Sequence, residues 1–122
     1  MKVSDKKLKQ AIKNLEHALS FQDRIDEDNF YFSGIAKNFE SCLEYVWKYF
    51  KRLAQKEGME PYSPRDAIKA AGKIGFIDDV EKWVDFLDDR NDAVHDYMGI
   101  SDEDYLKTIK EFLNEVQKLH IV

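Results

Sequence analysis

Apolar residues recur along most of the chain with the period of an α-helix. In the first segment Leu8, Ile12, Leu15 and Leu19 follow one another at steps of four, three and four. This spacing is typical of one face of an amphipathic helix. A polar run over residues 22–29 then interrupts the pattern. The sequence therefore predicts one helix before this run and another after it.

The second predicted helix is the longest and extends from about Phe30 to Glu57. Asp26 and Asp28 are candidate N-caps for its start, and Gly58 is the expected stop. A helix of this length spans about 40 Å, so we expect it to be the main strut of a small bundle. Its apolar stripe consists of Ile35, Phe39, Cys42, Val46, Tyr49 or Phe50, and Leu53.

Three further helices are predicted in the second half of the chain. Ser63 and Pro64 are an N-cap and a first helical residue, and they open a short third helix that ends near Gly72 to Gly75. Asp78 is the expected cap of a fourth helix that ends at Gly99. Its apolar stripe consists of Val80, Val84, Leu87, Val94 and Met98.

Ser101 opens a fifth predicted helix, because Ser-Asp-Glu-Asp is close to a capping box. Its stripe consists of Leu106, Ile109, Leu113, Val116 and His120. The sequence contains no internal repeat and no β-hairpin signal. The pattern therefore predicts an all-α fold, an antiparallel up-and-down bundle of four main helices plus one short helix, forming a single domain over residues 1–122.

Composition supports a folded protein. Of the 122 residues, 43% are hydrophobic, which argues against wholesale disorder. Cys42 is the one cysteine, so no intramolecular disulfide can form. The sequence has no secretion signal and no run of about 18 apolar residues that would span a membrane. We therefore expect a cytoplasmic protein with no membrane attachment.

The charge is negative and unevenly distributed. Nineteen Lys and Arg residues stand against 24 Asp and Glu residues, a net charge of −5, which disfavours a general nucleic-acid binder. Residues 76–105 contain eleven acidic residues and two basic ones. Such a run is most often a solvated helix face, and the alternative is a surface for a basic partner.

The candidate chemistry lies in one segment, which contains Arg90, Asn91, His95 and Tyr97. Arginine keeps its charge and binds phosphate oxygens, and histidine titrates near neutral pH. This pair suits RNA cleavage by attack of the 2′-hydroxyl, with His95 as proton acceptor. Asn91 precedes His95 by four residues and can orient it from the same helix face.

Helical geometry constrains how these groups meet. At about 100° per residue, Tyr97 lies about 20° from Arg90 around the helix, whereas His95 lies about 140° away. Arg90 and His95 therefore do not converge on one straight helix. Either the helix is distorted near Gly99, or two copies of the chain complement each other across a dimer axis, which we favour.

The segment resembles the Arg-x4-His-x-Tyr motif of the HEPN superfamily, with Asn91 as the polar residue that follows the arginine. Residues 39–51 resemble the long second helix of the HEPN branch of nucleotidyltransferase substrate-binding proteins. Residues 63–71, the following Gly-Phe-Ile-Asp-Asp and Trp83 are also similar to that branch. The resemblance covers about residues 5 to 119.

The resemblance implies a helical bundle that forms a homodimer and works with a minimal nucleotidyltransferase. It implies a metal-independent endoribonuclease toxin with Arg90, Asn91 and His95 as catalytic residues, an RNA substrate, and no metal or other cofactor. The nucleotidyltransferase would be the antitoxin and would add AMP to Tyr97. The alternative is a non-catalytic subunit that binds a nucleotide or substrate for the nucleotidyltransferase.

Structural explanations compete with these assignments. His95 can be a surface residue paired with Asp88 or Asp92, and Tyr97 can be an ordinary residue at the edge of an amphipathic face. Trp47 and Trp83 lie on apolar stripes, so packing in the core or in a dimer is favoured over base stacking. A structural bundle with no site is the weakest alternative.

Overall fold

The computed structural model describes residues 5–95 and 99–121, and over these residues the chain is helical with no β-strand. The elements in chain order are α1 (Lys6–Leu19), a 3₁₀ turn (Gln22–Arg24), α2 (Asn29–Lys56), α3 (Pro64–Lys73), α4 (Val80–His95) and α5 (Asp102–Gln117). Consecutive helices pack side by side, and α5 also packs against α1, which closes the bundle. The predicted all-α bundle with one short helix is confirmed.

Local side-chain chemistry explains where most helices begin. Three N-caps behave as the sequence predicts, because each side-chain oxygen accepts a hydrogen bond from a backbone N–H in the first helical turn. These caps are Asp28, Ser63 and Ser101, whose donors are Phe30, Asp66 and Asp104. Gly58 follows α2 with a φ of 82°, in the left-handed region that favours glycine after a helix.

The cap of α4 differs from the prediction. The carboxylate of Asp79, and not that of Asp78, accepts a hydrogen bond from the backbone N–H of Lys82 at 3.1 Å. Because α4 begins at Val80, Asp79 occupies the N-cap position. Two adjacent aspartates offer the same chemistry, and the sequence pattern alone did not distinguish them.

The core is built around a network of aromatic rings from α2, α4 and α5. Most of these rings meet edge to face, the geometry that their quadrupoles favour. Phe112 lies at the centre, with ring centroids 5.1 Å from Phe39, 5.5 Å from Phe86 and 5.8 Å from Trp83. The predicted stripe of α2 is buried except for Leu53, which is half-buried.

The buried faces of α4 and α5 are rotated from those that the sequence predicted. In α4 the buried residues are Trp83, Phe86 and Leu87, while Val94 is exposed. In α5 they are Tyr105, Thr108, Ile109, Phe112 and Val116, while His120 lies beyond the helix end and is exposed. Leu87, Ile109 and Val116 of the predicted stripes are buried, and the other aliphatic members within the described helices, except Val94, are half-buried against the core. Aromatic side chains bury more apolar surface and decide the inward face. Met98, the last residue of the predicted α4 stripe, lies outside the described residues.

Within the described chain, none of the helices combines the length and the apolar character that crossing a bilayer requires.

Candidate active-site groove

A groove of about 500 Å³ lies between α2, the start of α3 and α4. Its lining mixes positive and negative side chains with one large aromatic ring, that of the half-buried Trp47. The charged residues of the lining are Lys37, Glu40, Glu44, Arg65 and Arg90. A groove of this size can admit a small polar ligand or part of a larger one.

Arg90 reaches into this groove from α4, with about a third of its side chain exposed. Its Nη2 lies 3.6 Å from Oε1 of Glu40 on α2, and its Nη1 donates a hydrogen bond of 3.2 Å to Oδ1 of Asn91. The first contact is a loose ion pair, longer than a hydrogen bond. The guanidinium is therefore held between α2 and α4 and retains donors that an anionic ligand can use.

A second arginine borders the groove at the start of α3. Arg65 Nη2 lies 2.6 Å from Oδ1 of Asp88, which joins α3 to α4 by a charge-assisted hydrogen bond. Both side chains are close to half exposed, so the pair adds little stability. Its effect is on geometry, because it fixes one wall of the groove against the helix that carries Arg90.

Beneath Arg90, α4 contacts α5 through polar groups. The hydroxyl of Thr108 donates to Oδ2 of Asp89 at 2.6 Å. Burial raises the pKa of Asp89, and this hydrogen bond opposes the rise. Tyr105, one turn before Thr108, is buried against Phe39 with ring centroids 5.5 Å apart. Burial also raises the pKa of the Tyr105 hydroxyl well above its ordinary value.

The predicted site residues do not all reach the groove. Arg90 and Asn91 line it together, whereas His95 is exposed at the end of α4 and is not part of the lining. The sequence predicts that Asn91 orients His95, and in the structure the Asn91 amide oxygen accepts a hydrogen bond from Arg90. Tyr97 lies outside the described residues. Over residues 5–95 and 99–121, no group of three His, Cys, Asp or Glu side chains is placed to hold a metal ion.

Residues 5–121 match the family described as nucleotidyltransferase substrate binding protein like. This chain belongs to that family. A search of curated proteins gave no significant match.

Two solved structures show which fold this family member shares. One is the tri-AMPylated Shewanella oneidensis HEPN toxin in complex with MNT antitoxin, at 18% identity, with 90% of each chain covered and a TM-score of 0.66. The other is a mutant of the toxin–antitoxin pair MntA–HpeT, at 18% identity, with 90% of this chain and 91% of that chain covered and a TM-score of 0.62. The family member described here therefore has a HEPN-like fold.

Sequence reasoning missed the contribution of α2 to the groove. Glu40 and Glu44 are one turn apart and border the buried stripe of the family member's longest helix. Their spacing is visible in the sequence and indicates a polar face next to the core. The sequence alone did not show that this face meets Arg90, because that depends on how α2 and α4 pack.

Proposed function

We propose that this protein is the toxin of a toxin–antitoxin pair, and that it is an endoribonuclease which cleaves RNA without a metal ion. The observation that carries the proposal is the Arg90 guanidinium, held in the groove by Asn91 and Glu40 with donors left for a phosphate. Membership of the nucleotidyltransferase substrate-binding family and the fold of two solved toxin–antitoxin complexes support it.

The cleavage that we propose uses the RNA 2′-hydroxyl as nucleophile. The His95 imidazole accepts the hydroxyl proton as the 2′-oxygen bonds to phosphorus. Arg90 stabilises the negative charge that develops on the phosphorane oxygens, and Asn91 holds the guanidinium in position. The bond from phosphorus to the 5′-oxygen breaks, and the leaving oxygen takes up a proton. The products are a 2′,3′-cyclic phosphate and a 5′-hydroxyl.

A homodimer completes this site. Arg90 lies in the groove, while His95 lies outside the lining at the end of α4. A two-fold axis near that end of α4 would bring His95 of one protomer to the groove of its partner. Val94, beside His95, exposes 47% of its surface, and an apolar side chain of this kind suits an interface.

Control of the toxin is proposed to come from AMP addition by a minimal nucleotidyltransferase. The enzyme would transfer AMP from ATP to the Tyr97 hydroxyl and release pyrophosphate. The helical spacing of the sequence predicts Tyr97 on the face of Arg90, and in this proposal the new phosphodiester would occupy the position of an RNA phosphate. One of the solved complexes with the same fold contains a tri-AMPylated toxin, which supports this part of the proposal.

Alanine substitution at Arg90 and at His95 tests the ribonuclease. Arg90→Ala and His95→Ala should each lower the cleavage rate of an RNA panel by about 10²-fold to 10⁴-fold, because each removes a group that acts in the transition state. The melting temperature should stay within a few degrees. Arg24→Ala and His120→Ala are the matched controls, since both residues are exposed and outside the groove lining. Equal cleavage by all five proteins would refute the assignment.

A binding subunit of the nucleotidyltransferase is the second candidate function. The observation that favours it is the pair of carboxylates, Glu40 and Glu44, that shares the groove with Arg90 and would repel RNA phosphates. In that case the wild-type protein would form a stable complex with the nucleotidyltransferase and bind nucleotide. It would cleave no RNA in the panel and would gain no AMP by mass spectrometry.

A further inference from the structure

Three segments that are distant in the sequence meet beneath the Arg90 guanidinium. Arg90 pairs with Glu40 on α2, and its neighbour Asp89 accepts a hydrogen bond from Thr108 on α5. Tyr105, also on α5, packs its ring against Phe39, the residue that precedes Glu40. Residues of α2 and α5 are thus linked through contacts with Arg90 and its neighbour Asp89 on α4.

Among these residues, Tyr105 has a buried hydroxyl without a hydrogen-bond partner in the described part of the chain. The residue as a whole is only 3% exposed. Buried hydroxyls of this kind are normally satisfied, and an unsatisfied one is costly to keep. A phenylalanine would fill the same space without that cost, so the hydroxyl calls for an explanation in function.

The charged groups around the hydroxyl indicate which residue can accept its hydrogen bond. After burial, the strongest influence on the pKa of Tyr105 is the negative charge of Glu40, which raises it, and the next is Arg90, which lowers it. Glu40 directly follows Phe39, whose ring packs against that of Tyr105, and Glu40 also pairs with Arg90. Its contact with Arg90 is a loose 3.6 Å ion pair without a hydrogen bond between the two, so the carboxylate is not firmly committed to the guanidinium.

We propose that Glu40 is a positioning residue with two partners, holding Arg90 in the empty groove and accepting a hydrogen bond from Tyr105 when Arg90 binds a phosphate. The inference rests on the proposed function in so far as Arg90 is the phosphate ligand. Without a second partner, the departure of Arg90 would leave a partly buried carboxylate unpaired, which opposes binding. The Tyr105 hydroxyl removes that opposition, and Arg90 is freed to turn the donors that faced Glu40 towards the phosphate.

In this proposal Glu40 exchanges Arg90 for Tyr105 when a phosphate binds. Binding of adenosine monophosphate, measured by calorimetry on the full chain, tests this exchange separately from RNA cleavage. Tyr105→Phe should weaken binding about tenfold, since one hydrogen bond to a charged group is lost from the bound state. Its melting temperature should be unchanged or higher, because the empty state loses only an unsatisfied hydroxyl. Glu40→Gln should not weaken binding, and adding Tyr105→Phe to it should have no further effect. Tyr49→Phe is the matched control, because Tyr49 is equally buried on α2 but packs against Phe76.

Three results would overturn the inference. The first is an AMP affinity of Tyr105→Phe equal to that of the wild type. The second is a loss of AMP affinity on Tyr105→Phe that is as large in the Glu40→Gln protein as in the wild type. The third is AMP binding that does not depend on Arg90. RNA cleavage is scored in parallel with the same proteins. Cleavage that needs Arg90 but is indifferent to Tyr105→Phe would leave the proposed ribonuclease intact while refuting the exchange. Loss of AMP affinity without any RNA cleavage would retain the exchange and refute the ribonuclease.

Discussion

Among single residues, Cys42 has a perturbed pKa with a direct effect on stability. It is fully buried in the core, and burial raises its pKa from the ordinary 9.0 to about 12. A raised pKa means that the folded protein keeps the thiol proton after the unfolded chain has lost it. The resulting stability is complete below pH 9 and is lost as the pH rises from 9 towards 12.

Urea unfolding at two pH values measures this effect. Between pH 7 and pH 10 the wild type should lose about 1 kcal/mol more of its unfolding free energy than Cys42→Ala does. The ionisation of other groups, including the buried Tyr105, is common to both proteins and cancels in the comparison. Identical losses for the two proteins would show that the Cys42 thiol is not shielded from water in solution.

The residues of the candidate site differ in how visible they are in the sequence. Arg90 and His95 attract attention because their side chains have recognisable chemistry at a recognisable spacing. Glu40 and Tyr105 do not, because Glu40 pairs with Arg90 from another helix and Tyr105 packs against Phe39 from another helix. Local spacing predicts which groups share one helix face, but it gives no information on which faces meet.

At the level of helices, two glycines have opposite surroundings. A Cβ added at Gly72 in α3 would overlap Cγ2 of Val80 at the start of α4, whereas one added at Gly34 in α2 would meet nothing within 4 Å. Gly72 therefore permits the close approach of the end of α3 to the start of α4. Gly34 is not needed for a close contact between helices, and α2 continues through it without interruption.

Alanine substitutions distinguish the two positions. Gly72→Ala should destabilise the protein by about 1–3 kcal/mol, because overpacking outweighs the better helix propensity of alanine. Gly34→Ala should stabilise it by up to about 1 kcal/mol, because propensity acts there alone. Chemical unfolding of both variants beside the wild type gives the comparison. A stabilising effect at both positions would mean that α3 and α4 do not approach closely at Gly72.

Helix boundaries were predictable to within a few residues because caps and glycine stops act locally. The ends of α2 and the start of α3 follow directly from Asp28, Gly58 and Ser63. The inward faces of α4 and α5 were not predictable in the same way. Both helices carry aromatic and aliphatic residues on adjoining faces, and the ring network around Phe112 selects the aromatic ones.

At the scale of the whole molecule, the proposed dimer makes a quantitative prediction. If each site takes Arg90 from one protomer and His95 from the other, an Arg90→Ala chain paired with a His95→Ala chain retains one intact site. Mixing the two inactive variants under conditions that exchange subunits should restore about a quarter of wild-type cleavage, since half of the dimers are mixed and each has one site.

Light scattering on the same samples should give twice the mass of one chain. Mixtures of Arg90→Ala with itself provide the control and should stay inactive. Two findings would contradict the composite site: a folded monomer at micromolar concentration, and a dimer in which mixing restores no cleavage. In the second case Arg90 and His95 would have to act within one protomer, which would require a distortion of α4 between these two residues.

The two tryptophans occupy contrasting places, and this gives the protein two built-in optical probes. Trp83 is buried among Phe50, Phe86 and Phe112, so its fluorescence responds to the integrity of the core. Trp47 is half-buried on the groove lining, 5.9 Å from the Lys48 ammonium, so its emission responds to whatever enters the groove. With Trp83 replaced by Phe, the remaining indole would report occupancy of the groove in real time, without a label on either the protein or the ligand.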